Sequence, residues 1–383
     1  MKIICAPDSF KGSLSAVDAS QAMARGILSV LPDAAIDRCP IGDGGEGTLA
    51  ALLFAIGGRT VSVPVTGLYG GATEAPFGQF GHDDLVYVEA ATVIGLGNLP
   101  VEQRRVMAAS SFGVGQLIVR AAATSVRQIM VGVGGSATND GGCGMAQALG
   151  VEFYDESDHV IREPISGAML GGIRRIKRPA LSPLRADIPI VVACDVMNPL
   201  TGAKGAARVY GPQKGASPEQ VEILDAGLAN LAALIKRDLG LDVANLPGAG
   251  AAGGLGAGLV AFAGAKLVSG IETVLATVGF DKRVQDADIC LTGEGRLDAQ
   301  SLAGKACIGV AKAAARRSVP TVALVGSVGP GAERCRAAGI DEYVSISEGI
   351  APDVAMRDAA TLLARAAARL AGKYRGKSDT LVC

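Results

Sequence analysis

Apolar runs of four to six residues, each closed by a glycine-rich polar turn and followed by an amphipathic stretch, mark both ends of the chain. Ile3–Ala6 is a short apolar run of the kind found in a buried parallel strand, and Ile36–Pro40 reads as a second strand. Between them Val17, Ala24, Ile27, Leu28 and Leu31 recur at helical spacing, behind a capping pair of Ser15 and Asp18. Gly42–Gly47 then leads into a helix through Leu49–Ala55. This βαβα rhythm favours a parallel sheet. The texture changes over Thr60–Val65, Ala75–Phe80 and Leu85–Glu89, short strands separated by Gly and Asp turns, an antiparallel or mixed pattern. A helix is predicted over Val114–Ala123, a strand over Ile129–Val133, a helix over Met145–Leu149 and a strand over Val151–Tyr154. Residues 156–186 have few periodic signals and read as mostly irregular. Ile188–Ala193 is a strand, Pro218–Leu239 a helix, and glycine-rich Gly248–Gly258 opens another. Alternation returns with strands at Ala287–Leu291, Pro320–Val325 and Tyr343–Ile346, helices at Gly304–Arg316 and Pro352–Leu370, and a loose tail after Gly376.

The simplest assembly joins the ends. Residues 1–58 and 286–383 make one discontinuous five-stranded α/β domain, and residues 59–285 form an inserted mixed α/β domain. A length of 383 residues suits two domains. With 49% apolar residues, 4% aromatics and no tryptophan, the cores are built from Ala, Val, Leu and Ile packed against Gly.

Charge narrows the functions. With 36 basic and 37 acidic residues, and no Lys/Arg block or aromatic platform, nucleic acid is not an expected partner. The eight cysteines form no CxxC pair; Cys5, Cys194 and Cys290 lie in apolar runs and read as core residues of a reduced, cytoplasmic protein. His82 and His159 are the only histidines, which argues against a histidine-rich metal site or a Ser-His-Asp mechanism. MKIICAPD lacks a signal-peptide apolar region. Asn245–Ala265 has the length of a membrane span but is mostly Gly and Ala, so no membrane association is expected.

Candidate chemistry gathers at the predicted strand exits, where open parallel sheets bind ligands. Gly134-Gly135-Ser136-Ala137-Thr138-Asn139-Asp140-Gly141-Gly142 joins a strand to a helix. Glycines let the backbone approach a ligand, free amides at a helix start favour an anion, and Ser136 and Thr138 add hydroxyls. The loop is read as a phosphate receptor, with Asp140 placed to hold a cation beside the anion. A ligand-free strand–glycine turn–helix junction accounts for the same residues about as well. Other exits carry Asp8, Ser9 and Lys11; Asp43 and Glu46; Asp195 with Asn198; and Glu294, Arg296 and Asp298. Carboxylates suit Mg²⁺, and Lys11, Lys214 and Arg296 suit charge neutralisation on a phosphoryl group or acidic substrate. No Walker A or protein-kinase signature appears, so the chemistry read here is phosphoryl transfer of another kind. The fingerprints G-x-G-x-x-A at 132–137 and G-x-G-x-x-G at 42–47 and 248–253 leave open an NAD-dependent hydroxy-acid dehydrogenase or a non-catalytic nucleotide- or flavin-binding module.

Seven segments in order carry a resemblance: APDSFKGSLSA (6–16), GDGGEGT (42–48), GVGGSATNDGG (132–142), ACDVMNPL (193–200), GPQKGAS (211–217), PGAGAAGGLGAG (247–258) and LTGEGRLDAQS (291–301). Together they resemble the bacterial glycerate kinases of the flavodoxin-like class, over nearly the whole chain. One segment differs: relatives tend to show Thr-Ser-x-Gly-Thr-Gly-Glu where this chain has Ser110-Ser111-Phe112-Gly113-Val114-Gly115-Gln116. The resemblance implies a discontinuous flavodoxin-like parallel-sheet domain with a large inserted mixed α/β domain. It implies conversion of D-glycerate and ATP to 2-phosphoglycerate and ADP with Mg²⁺, in the cleft between domains. A kinase of a related small hydroxy acid is the nearest alternative. In that frame Asp195 is the candidate base, with Lys11 and Arg296 neutralising charge. Asp8, Ser9, Asn198 and Lys214 are expected on the substrate, and Asp43 and Glu294 near Mg²⁺. Gly134, Gly135, Ser136 and Thr138, with Gly250 and Gly253, are expected on the nucleotide phosphates. The oligomeric state stays open, a homodimer included.

Overall fold

The computed structural model describes residues 1–81, 84–97, 99–185 and 187–378. His82 and the tail beyond Ser378 lie outside the described residues. The chain divides into two compact units, one of Met1–Asp43, Ala50–Gly57 and Ile271–Cys383, the other of Gly44–Leu49 and Gly58–Gly270. It is a mixed α/β protein with parallel sheets.

In the first unit five parallel strands lie in the order Glu342–Ser345, Thr321–Val325, Ile289–Thr292, Lys2–Cys5, Ala35–Arg38. The first half of the chain supplies two of them and the last quarter three. Ile289, Cys290 and Leu291 pair with Ile3, Ile4 and Cys5, and all six side chains are buried. Buried on both faces, such strands read as continuous apolar runs rather than alternating ones, which is why they were visible in the sequence. Helix Ala16–Leu28 starts at Ser15, whose side chain accepts a hydrogen bond from the Asp18 amide. It packs on helix Ala359–Ser378 so closely that a Cβ on Gly26 would lie 2.0 Å from the Ala364 carbonyl oxygen. The single helix expected over Pro352–Leu370 is instead two, Pro352–Arg357 and Ala359–Ser378, and the second continues beyond Gly376.

In the second unit a six-stranded sheet runs Lys266–Val268, Ile190–Ala193, Gln128–Gly132, Leu85–Glu89, Ala72–Phe80, Arg59–Thr66. The first four strands are parallel and the last two antiparallel. Phe112–Ala122 covers one face, its Val114, Leu117 and Ile118 buried against Val86, Val88, Ile129 and Val131. A second core lies around Pro218–Leu239, a helix begun by a Ser217–Gln220 capping box and ended by left-handed Gly240. The stretch expected to be irregular also holds structure: Arg175–Lys177 pairs antiparallel with Glu152–Tyr154, and Gly167–Gly172 forms a 3-10 turn against the long helix. Three-residue strands carry too little periodicity to be seen in sequence. The Gly/Ala run yields a helix only over Ala251–Ala263, and no helix among the described residues is long and apolar enough to cross a membrane. Cys5 and Cys290 are core residues as expected, whereas Cys194 is only half-buried.

Candidate functional site

In the second unit Gln128–Gly132 and Ile190–Ala193 are parallel neighbours, with Gly132 opposite Ala193. Their exit loops, 133–142 and 194–199, therefore leave the same edge of the sheet, where ligands bind in open α/β sheets. The first loop lies close against the Gly44–Leu49 segment: a Cβ on Gly134 would stand 2.6 Å from the Gly45 Cα, and the Gly134 amide donates to the Gly44 carbonyl at 3.1 Å. Gly135 is left-handed (φ 75°), a conformation a side chain would resist. The amides of Gly135, Ser136 and Thr138 take no part in the backbone hydrogen bonds among the described residues.

Lys214 reaches this loop from the 3-10 turn Pro212–Lys214, which ends on left-handed Gly215. Its ammonium donates to the Thr138 carbonyl at 2.7 Å and to Ser136 Oγ at 3.2 Å. The residue is 3% exposed, and no carboxylate forms an ion pair with it among the described residues. Burial lowers its pKa from 10.5 to about 7, against the opposing pull of Asp140. A buried ammonium held by two neutral oxygens keeps a third donor and a charge that Asp140 offsets only in part, the arrangement that an incoming anion relieves.

Asp140 does something other than expected. It is fully buried and accepts from the Ser111 amide and Ser111 Oγ, both at 2.7 Å, and from the amides of Gly142 at 3.1 Å and Gly144 at 3.3 Å. Ser111 Oγ in turn accepts from the Met145 amide at 2.9 Å. The first amides of helix Cys143–Ala148 are thus taken by the protein itself, Cys143 by the Asp140 carbonyl at 3.0 Å, Gly144 by the Asp140 carboxylate and Met145 by Ser111 Oγ, so the expectation of free helix-start amides for an anion, and of Asp140 as a cation ligand, is corrected. Burial raises the Asp140 pKa while those four donors lower it. The Ser110–Gln116 segment belongs to the same framework. Gln116 Oε1 accepts from the Thr66 amide at 2.6 Å, and Cβ atoms on Gly113 and Gly115 would meet the Thr66 and Met145 carbonyls at 1.9 and 2.3 Å.

Between Thr138 and Asp140 sits Asn139, fully buried, with neither side-chain polar atom hydrogen-bonded among the described residues. Leaving a buried donor or acceptor unmade costs roughly 1–3 kcal/mol. Gly250 and Gly253 permit close packing: Cβ atoms there would lie 2.3 Å from the Pro199 carbonyl and 2.1 Å from the Thr138 carbonyl. Ala252, Gly253 and Gly254 are all left-handed, and Thr138 Oγ1 donates to the Ala252 carbonyl at 3.5 Å. Non-glycine residues rarely accept that conformation, so Ala252 carries backbone strain.

On the second loop Asp195 Oδ1 accepts from Ser269 Oγ at 2.8 Å and from the Gly270 amide at 2.9 Å, at the end of the neighbouring strand Lys266–Val268. Asn198 spans its own loop, donating to the Lys204 carbonyl at 2.8 Å and accepting from the Tyr210 hydroxyl at 2.7 Å. Glu89, 5% exposed, accepts from the amides of Gly47 at 2.9 Å and Leu49 at 2.8 Å. The G-x-G-x-x-G match at 42–47 is therefore anchored by a carboxylate of the protein itself.

In the first unit the strand order reverses between Lys2–Cys5 and Ile289–Thr292, the switch point at which such sheets open a crevice. Asp8 leaves the first of these strands and Glu294 the second. The Asp8 carboxyl accepts from the Ser9 amide at 2.6 Å. Part of its side chain still meets solvent, yet dense protein around it, then Asp43, push its pKa up to about 8, with Glu294 adding and Lys11 opposing. Glu294 is 5% exposed; Oε1 accepts from Ser301 Oγ at 2.7 Å and Oε2 lies 3.8 Å from Lys305 Nζ. Burial raises its pKa, and Ser301 and Lys305 hold it down. Lys11 and Arg296 are both exposed, and Arg296 Nε pairs with Asp298 Oδ2 at 3.2 Å.

The structure thus gathers Asp8, Asp43, Glu294 and Lys11 within electrostatic reach in one unit, and Ser136, Thr138 and Lys214 at hydrogen-bond distance in the other. Sequence reasoning passed over Ser111, Asn139 and Glu89. Only Asn139 had a local signal, its place inside the Gly134–Gly142 loop.

This architecture recurs in known proteins. The model of the glycerate kinase family matches residues 3–375. A glycerate kinase of Halalkalibacterium halodurans is 45% identical over 96% of this chain and 97% of its own length. A glycerate 2-kinase of Escherichia coli is 41% identical over 97% of each chain. A solved structure described as a glycerate kinase 2 from Salmonella typhimurium superposes with a TM-score of 0.84 at 41% identity, covering 99% of both chains. With the family model and full-length relatives in agreement, this chain belongs to the glycerate kinase family.

Proposed function

We propose that the protein phosphorylates D-glycerate with ATP, giving 2-phosphoglycerate and ADP, and that it does so in the cytoplasm on a flavodoxin-like first unit and an inserted second one. The observation that carries the reading is Lys214, a buried ammonium aimed into a glycine loop of a family whose members are kinases. Gly134, Gly135, Ser136 and Thr138 receive the nucleotide phosphates, with Lys214 neutralising them; Gly250 and Gly253 let the backing loop close on that site. The 2-hydroxyl oxygen attacks the γ-phosphorus, the bond from that phosphorus to the β–γ bridging oxygen breaks, and the hydroxyl proton passes to Asp195. Ser269 and the Gly270 amide orient that carboxylate through its Oδ1. In the first unit Lys11 and Arg296, with Ser9, are the partners proposed for the glycerate carboxylate, and in the second unit Asn198 is a proposed substrate residue. The seven described cysteines are all free thiols, which suits a reducing compartment.

Mg²⁺ fits the donor set in part. Asp43 raises the Asp8 pKa through its charge, so the two carboxylates stand within electrostatic reach of one another, the kind of pair that a hard cation takes alongside water and phosphate oxygens. Glu294 is already engaged by Ser301 and Lys305 and fits less well. No group of three His, Cys, Asp or Glu suited to a metal occurs among the described residues. When bound, Mg²⁺ supplies charge neutralisation on the phosphates. The test is phosphorus NMR of ATP, Mg²⁺ and D-glycerate with the protein. Growth of 2-phosphoglycerate and ADP signals is the expected result; ATP consumption without a phosphoglycerate, or no consumption, overturns the reading.

A further inference from the structure

The backbone of Asn139 is closely packed. Its backbone lies between two glycines: a Cβ on Gly253 would come 2.5 Å from the Asn139 Cα, and one on Gly167 would come 2.9 Å from its carbonyl oxygen. Its neighbours are fixed as well, Thr138 by Lys214 and Asp140 by Ser111, Gly142 and Gly144. Yet the Asn139 carboxamide is fully buried, and neither of its polar atoms is bonded among the described residues. A leucine of similar volume would fill the position without the desolvation burden. Buried polar groups in native proteins are nearly always paired, so an unpaired one calls for an explanation, a bound ligand or water among them. Asn139 follows Thr138 directly, whose carbonyl accepts from the buried Lys214 ammonium, and its Cα lies against the left-handed turn that holds strained Ala252. Strain and unmet hydrogen bonding persist together where a ligand is to be received.

We infer that Asn139 is a ligand-directed residue of the 134–142 loop, whose carboxamide gains its hydrogen bonds, directly or through one water, when a nucleotide polyphosphate binds at Ser136 and Lys214. The inference rests on the phosphate reading of that loop and adds to it a residue that reports the loaded state. Rotation of the side chain, not movement of the clamped backbone, makes the contact.

The test sets stability against affinity. In Asn139→Leu the free protein melts at the same temperature as wild type or about 2 °C higher. Its KM for ATP rises about tenfold, equivalent to about 1.4 kcal/mol. Its KM for glycerate is unchanged, and its thermal shift with ATP and Mg²⁺, or with inorganic tripolyphosphate, shrinks by more than half. Asn139→Ala gives the same comparison of KM values should the leucine variant fail to fold. An unchanged KM for ATP in the folded variants overturns the inference, whatever their melting temperatures, and leaves the kinase reading standing. A wild-type protein with no thermal shift from ATP or tripolyphosphate and no turnover sinks the kinase reading itself, a distinguishable result.

Discussion

Lys214→Met offers the sharpest check on the second unit. The folded protein lowers the Lys214 pKa from 10.5 to about 7 because the ammonium is buried without an ion-pair partner among the described residues. The folded state therefore binds this proton less tightly than the unfolded chain does. The burden is full below pH 7, falls as pH rises towards 10.5, and vanishes above it. At about 1.4 kcal/mol per pKa unit, the full burden is about 5 kcal/mol, and about 2 kcal/mol of it lifts between pH 7 and 8.5. Methionine preserves the length and packing and removes the titration. Urea denaturation of wild type and Lys214→Met from pH 6 to 9 is the assay. The stability advantage of the variant should be largest near pH 6 and shrink by about 2 kcal/mol by pH 8.5, while its KM for ATP rises at least tenfold. Loss of the Thr138 and Ser136 hydrogen bonds moves the whole curve of the variant but not its slope, so the slope is the diagnostic quantity. Parallel pH curves for the two proteins would refute the argument, as would an unchanged KM for ATP.

Three other perturbations separate chemistry from scaffold. Asp195→Asn keeps an acceptor for Ser269 and Gly270, so melting should change little while turnover falls at least a hundredfold; unreduced turnover removes Asp195 as the base. Arg296→Lys, on an exposed side chain whose planar fork suits a carboxylate, should raise KM for glycerate several-fold and leave KM for ATP alone, and steady-state kinetics with each substrate varied decides it. Gly26→Ala forces a methyl to within 2.0 Å of the Ala364 carbonyl and should destabilise the protein by roughly 1–3 kcal/mol in urea without changing either KM; an unchanged midpoint would show that the two helices separate freely.

Much of the fold was legible because buried parallel strands announce themselves. Lys2–Cys5 and Thr321–Val325 stand within a residue or two of their predicted limits, since continuous apolar runs are local signals, and the helix Pro218–Leu239 has the limits predicted for it. The strand Arg175–Lys177 and the break at Asp358 were not legible, because three residues or one turn hold too little pattern to stand out. In the glycine loop the residue types pointed to an anion, but their partners did not follow from the types. Whether Asp140 faces a cation or caps a helix depends on Ser111, 29 positions earlier in the chain.

The amino-acid sequence alone determined the alternation of strands and helices, the glycine-rich exits and the family resemblance, all properties of residues near one another in the chain. Only the tertiary structure decided which polar groups are spent and which remain to act. It assigned Asp140 and Glu89 to capping, left Lys214 buried beside Ser136 and Thr138, and left Asn139 without a partner among the described residues. The physical reason is that burial and hydrogen-bond pairing arise between segments far apart in the chain. A carboxylate, an ammonium or an amide takes its chemistry from the neighbours that folding delivers to it.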